Sequence, residues 1–171
     1  CETDAVKGKF DAVLFDAGGV LVLPDPKVLA PLIAYYGGDD RHEAYVRAHY
    51  AGMAAKSAAS VGESDWTHYN HTYLAHLSVP DEHRDAALEV LTHVKANARL
   101  WRHPIPGAAD ALMELSRRSV PIGVVSNASG QIESTLQISG ICQVGIGPHA
   151  AVRCVVDLSL IHISEPTRPL Y

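Results

Sequence analysis

The stretch Phe10–Asp25, FDAVLFDAGGVLVLPD, decides the fold. Phe10 to Phe15 is a short apolar run that stops at Asp16 and is followed by Ala17-Gly18-Gly19. An apolar run that breaks into a glycine-rich turn predicts a buried strand entering a loop. Pro24 and Pro26 then punctuate a crossing point. The same pattern returns in SVPIGVVSN, where Val120 to Val125 predicts a second apolar strand ending at Ser126-Asn127. Ala151 to Asp157, AVRCVVD, predicts a third buried strand.

Between the first two strands the spacing turns helical. KVLAPLIAYY predicts one helix, stopped by Gly37-Gly38. Asp39 or Asp40 is placed to cap the next, HEAYVRAHYAGMAAKSAA. Ser64 or Asp65 opens WTHYNHTYLAHL, and Pro80-Asp81 opens EHRDAALEVLTHVKANA. Four such helices with short breaks suggest a small bundle. WRHPIPG, from Trp101, marks a boundary. AADALMELSRR follows as an amphipathic helix with Ala108, Ala111, Leu112 and Leu115 on one side. Residues 130–138 predict another helix, with Gly140 as a C-cap. Strand, helical insert, helix, strand, helix, strand describes an α/β sheet with a helical domain inserted after its first strand. The predicted division is 1–23 with 101–157 for the sheet domain and 24–100 for the insert.

Composition narrows the function classes. The 171 residues are 47% hydrophobic and 19% charged, values suited to a globular core. Fourteen Lys and Arg against 19 Asp and Glu give a net charge of −5 with no basic stripe, a poor basis for nucleic-acid binding. No apolar run reaches membrane-spanning length, and the first ten residues lack the apolar core of a secretory signal. Cys1, Cys142 and Cys154 form no CxxC pair, which suits reduced thiols and a cytoplasmic setting.

The last fourteen residues, LSLIHISEPTRPLY from Leu158 to Tyr171, continue no preceding pattern. Leu158 to Arg168 resembles the translation of a transposase adapter used in preparing sequencing libraries, one frame of which encodes LSLIHISEPTR. Residues 158–171 are therefore expected to be a non-native tail, with the natural chain continuing beyond Asp157.

In an open α/β sheet, ligands bind outside the carboxyl ends of the strands. Two predicted ends carry polar groups. Asp16 lies beside backbone amides near Gly18 and Gly19, which suits a carboxylate nucleophile with N–H donors close by. Ser126 offers a hydroxyl and Asn127 an amide, both able to hold an anionic oxygen. The residues alone equally allow Asp16 as a turn former and Ser126-Asn127 as a helix N-cap. His68, His71 and His76 share one predicted helix, with His42 and His49 on its neighbour. They lack HExxH spacing or a Cys partner and read as bundle residues rather than metal ligands. The tyrosines and tryptophans of the insert read as its packing.

AVLFDAGGVLVLPD resembles the first motif of the haloacid dehalogenase-like hydrolase superfamily, and VPIGVVSNASG its second. WRHPIPGAADALMEL resembles the linker and helix that follow the inserted cap of the bundle-capped group. The resemblance covers residues 10–157 and implies a Rossmann-like parallel sheet core, here incomplete, with a helical-bundle cap. It implies that Asp16 attacks a phosphorus or a halogen-bearing carbon to give a covalent aspartyl intermediate. Gly18, Gly19, Ser126 and Asn127 would bind the transferring group. In the phosphatase branch Mg²⁺ would be held by Asp16 and the Gly18 carbonyl, and the partner is a small-molecule substrate.

Two departures follow. The usual phosphatase pattern has a second Asp, the general acid/base, where this chain has Gly18, and a positioned acid/base contributes roughly 10²–10⁴-fold. Asp25 is a substitute acid on one reading and a turn residue between two prolines on the other, which is preferred. The family's third-motif Lys and fourth-motif acidic cluster have no counterpart, so the chain as written is expected not to turn substrate over. A Mg²⁺-dependent phosphatase parent acting on a small phosphorylated metabolite is the leading expectation. A metal-independent dehalogenase and a non-catalytic binding protein are the alternatives. Loss of downstream strands would also leave Phe10–Phe15 as an unpaired apolar edge, an aggregation hazard.

Overall fold

The computed structural model describes residues 10–62, 64–128 and 130–161. In chain order its elements are β1 Val13–Asp16, β2 Val22–Pro24, α1 Pro26–Tyr35, α2 His42–Ala59, α3 Thr67–His76, α4 Arg84–Lys95 and β3 Trp101–Pro104. They continue with α5 Ala108–Arg117, β4 Ile122–Ser126, α6 Ile132–Ile138, β5 Cys142–Val144, β6 Ala150–Val152, β7 Cys154–Asp157 and α7 Leu158–Ile161. The fold class is α/β with parallel strands. The chain divides into two units, Val22–Ile105 and the segments on either side of it.

In the flanking unit, β1, β4 and β7 form a parallel sheet in that order. Register rows run Leu14–Gly123–Cys154 and Phe15–Val124–Val155. The central strand is the most buried: Ile122 is 1% and Val124 0% exposed, alongside Leu112 of α5 and Leu136 of α6, both at 0%. Such β-branched side chains fit a pleated, covered surface. Gly123 is required by close approach. A Cβ there would stand 2.6 Å from Leu14 Cδ2 and 3.4 Å from Cys154 Sγ. The first strand is shorter than its apolar run. Pairing begins at Val13, whose N–H donates to the Pro121 carbonyl at 2.9 Å, and Phe10 is left exposed.

The predicted third strand, Ala151–Asp157, is a correction. It is two strands broken at Arg153, whose N–H donates to the Ile122 carbonyl at 2.7 Å. β6 pairs in parallel with β5, a strand that the glycine-rich stretch GICQVGIGPHA hid, while β7 pairs with β4. β7 is exposed to half-buried rather than buried. It pairs with β4 on one side only among the described residues, which leaves its other side outside the ladder.

In the unit Val22–Ile105, α1 to α4 pack around Leu29, Ile33, Tyr45, Tyr69, Tyr73, Leu74 and Leu91. Gly37 ends α1 in the left-handed region at φ +81°, a conformation open to glycine. The expected cap of α2 is a second correction. Arg41 holds the N-cap position without a side-chain bond. Asp39 instead accepts from the Arg41 N–H at 2.8 Å and from its guanidinium. At α3 the N-cap position is likewise filled without a side-chain bond, by Trp66, and Asp65 just ahead of it accepts from the Thr67 N–H at 2.8 Å. β2 and β3 form an antiparallel ribbon that the boundary reading missed. Each is too short for alternation to show, and each ends in a proline.

Candidate active site

The three strands of the parallel sheet end side by side. Asp16 is paired with Val125 and Ser126 with Asp157, so the polar ends of β1, β4 and β7 fall at one edge within a residue of each other. This is the edge at which an open parallel sheet holds ligands. Asp16 is exposed, and its Oδ1 accepts from the Ala17 N–H at 2.6 Å. The chain then folds tightly. The Ala17 carbonyl accepts from the N–H groups of Val20 at 3.3 Å and Leu21 at 2.9 Å. Gly19 sits at φ +77°, which strongly disfavours a side chain, and Gly18 is half-buried beside it. Ser126 is 8% exposed and Asn127 is exposed. Among the described residues no hydrogen bond joins Asp16 to Ser126. Their proximity is set by strand register alone.

Sequence reasoning passed over Asp157. Its carboxylate accepts from the N–H groups of Ala128 at 3.2 Å and Gly130 at 2.6 Å, and from the Ser159 N–H at 3.1 Å and hydroxyl at 2.5 Å. Burial acts to raise its pKa, but the Ser159 hydroxyl and these amides outweigh it and hold the carboxyl below its ordinary value. Asp157 thus ties down the loop that leaves Ser126. The available signal was position, since it is the third strand end of the same sheet.

Asp25 belongs to the other unit. It is the N-cap of α1, accepting from the Lys27 N–H at 2.9 Å, and its Oδ2 accepts from Arg102 Nε at 2.8 Å. Burial acts to raise its pKa, and the Arg102 and Lys27 hydrogen bonds with the charges of Arg102 and His103 overcome it, leaving it lowered. An ionised, capped and paired carboxylate does not suit a general acid. The histidines of the helical unit do not gather: His42, His68, His71 and His76 are exposed, while His49 is buried.

Magnesium takes near-octahedral oxygen ligands, commonly one or two carboxylates completed by water and substrate phosphate. Asp16 brings one carboxylate, and the second at this edge, Asp157, is already engaged by three amides and a hydroxyl. Among the described residues no group of three His, Cys, Asp or Glu is arranged to hold a metal. The donor set present does not fit a resident Mg²⁺ ion. Nor is any described helix long and apolar enough to cross a membrane.

A family model described as "Hydrolase: haloacid dehalogenase-like hydrolase" matches residues 10–152. No curated protein matches the chain. A solved structure described as "Crystal structure of putative beta-phosphoglucomutase from Thermotoga maritima" is similar at 14% identity and a TM-score of 0.35. The alignment covers 86% of this chain, which spans 61% of the length of that one.

Proposed function

The chain belongs to the haloacid dehalogenase-like hydrolases, and from that premise we propose that Asp16 is the nucleophile toward a small phosphorylated metabolite. The observation that carries the reading is the alignment of Asp16 with the end of β4 at one sheet edge. One Asp16 oxygen takes the Ala17 N–H, which fixes the carboxylate's rotation. The other oxygen attacks phosphorus, forming an acyl phosphate as the bond to the ester oxygen breaks. The Ser126 hydroxyl, the Asn127 amide and backbone N–H groups at Gly18 and Gly19 supply donors for the phosphoryl oxygens. Water then hydrolyses the acyl phosphate and restores Asp16.

Gly18 shapes the rate. It has no side chain to protonate a leaving alkoxide or to activate the water, which removes roughly 10²–10⁴-fold. Esters whose leaving group departs as a stable anion are therefore favoured, and breakdown of the intermediate is slow. With no fitted metal site among the described residues, turnover by this chain is expected to be very low. The same glycine favours a second reading, attack on a halogen-bearing carbon, because halide leaves without a proton.

The test compares p-nitrophenyl phosphate with 2-chloropropionate, using the chain and its Asp16→Asn variant. The expected result is a stoichiometric release of nitrophenolate without further turnover, which Asp16→Asn abolishes. Chloride release without nitrophenolate release selects the dehalogenase reading. Equal release by both proteins removes Asp16 from the chemistry.

A further inference from the structure

The parallel sheet has two open edges. Among the described residues β1 pairs only with β4, and β7 only with β4 on its other side. All three strands run the same way, so the β1 edge of one copy and the β7 edge of another can pair in parallel. Val13 gives its N–H to the Pro121 carbonyl at the start of β4, so by alternation Leu14 and Asp16 turn theirs outward. Leu14 is 69% exposed, and Cys154 in the same row is exposed as well. Edges are commonly guarded by lysine, proline or a bulge. Neither strand carries one: β1 reads Val-Leu-Phe-Asp and β7 reads Cys-Val-Val-Asp.

The two edges are complementary in charge. Asp11 stands exposed at the foot of β1, and Arg153 exposed at the foot of β7. Neither enters an ion pair among the described residues. When the sheet's own rows are continued into a second copy, Cys154 lies opposite that copy's Leu14. Arg153 is then the diagonal neighbour of its Asp11, within reach of a long side chain. Two side chains left exposed in one copy are thereby covered together. Antiparallel pairing of two β1 edges would instead set the Asp11 end of one against the Asp16 end of the other, which like charge opposes.

We propose that the chain associates with itself head to tail, the β1 edge of one copy pairing in parallel with the β7 edge of the next. The contact is heterologous. It joins two different surfaces, and the joined copies still offer one of each, so assembly is open-ended and does not close as a dimer. The inference does not rest on Asp16 as a nucleophile.

The test is sedimentation equilibrium of the full chain in reducing buffer. The average mass of the unaltered chain is expected to pass the dimer value as concentration rises. Leu14→Lys blocks the β1 edge and Cys154→Lys the β7 edge, so each variant alone should remain a monomer. An equimolar mixture of the two should stop at the dimer, because one intact edge of each kind remains. Arg153→Glu should weaken association at least about threefold, and Asp11→Lys added to the same chain should restore it. This charge exchange decides the matter should either lysine variant fail to fold by circular dichroism. An unaltered chain that stays monomeric, or that stops at a dimer, overturns the proposal. So does a mixture of the folded lysine variants that stays monomeric, or Cys154→Lys that associates as fully as the unaltered chain. Arg153→Glu without loss, or without rescue by Asp11→Lys, overturns it equally.

Discussion

At the scale of single residues, Asp25 shows how one carboxylate serves two structural ends. It caps α1 through the Lys27 N–H and pairs with Arg102, 77 positions away. Asp25→Ala is expected to lower stability by about 1–2 kcal/mol, chiefly through loss of the cap. Asp25→Asn, which keeps an acceptor, should lose less, and urea unfolding at pH 7 orders the two. Because the folded pKa of Asp25 is depressed, its contribution is present above its unfolded pKa and lost as pH falls through the folded one. Between two prolines Asp25 reads as a turn residue, and its capping role shows only where the helix is seen to begin at Pro26. The Arg102 pair was not legible either, because nothing local links residues so far apart.

His49 titrates in the same sense for a different reason. It is 1% exposed, with Nδ1 2.9 Å from the Tyr69 hydroxyl, and burial, then the charge of Lys95, pushes its pKa down to about 4. Between that value and the ordinary one near 6.5, the unfolded chain binds a proton that the folded chain refuses. Stability should therefore fall as pH drops from 6.5 toward 4, with a slope of up to about 1.4 kcal/mol per pH unit from this group. His49→Phe should flatten that slope in urea midpoints taken at pH 7 and pH 5. An unchanged slope would assign the acid sensitivity to other groups.

Among the elements, α2 and α3 meet at a glycine. A Cβ on Gly52 would stand 2.8 Å from Tyr69 Cδ2 and 3.0 Å from Cε2. Gly52→Ala should force that ring off α2 and cost about 1–3 kcal/mol, although alanine favours an isolated helix. A lowered melting temperature checks this, and an unchanged or raised one would show that the ring yields freely. The helices were legible from the sequence because glycine, proline and aspartate bracket runs of ten or more residues, and in His42–Ala59 the buried Ala44, Tyr45, Ala48, His49 and Gly52 recur one turn apart. The ribbon of β2 and β3 was not. Three or four residues hold no measurable period, and Pro24 and Pro104 read as breaks. The split at Arg153 was hidden because both halves of AVRCVVD are apolar, and only pairing separates them.

For the whole molecule, the parallel sheet is covered unequally. Strands in such sheets are commonly buried on both faces. Here Leu14 is 69% exposed, its row partner Cys154 is exposed, and β1 pairs only with β4 among the described residues. An apolar strand edge of this kind favours self-association. Leu14→Lys should reduce concentration-dependent association in sedimentation without lowering helical content, and equal association in both proteins would clear β1 of responsibility. The catalytic proposal belongs to this scale as well, because register across strands distant in sequence brings Asp16 and Ser126 to one edge. Those two residues were legible because each ends an apolar run. Asp157 was not, because its role lies in backbone amides 27 and 29 positions away.

The most direct measurement is peptide-mapped mass spectrometry of the full chain after exposure to p-nitrophenyl phosphate and acid quenching. The account predicts one added phosphoryl group, located on Asp16 and absent from Asp16→Asn. Its slow breakdown at Gly18 should let it accumulate. An unmodified chain, or a phosphoryl group on any other residue, would contradict it.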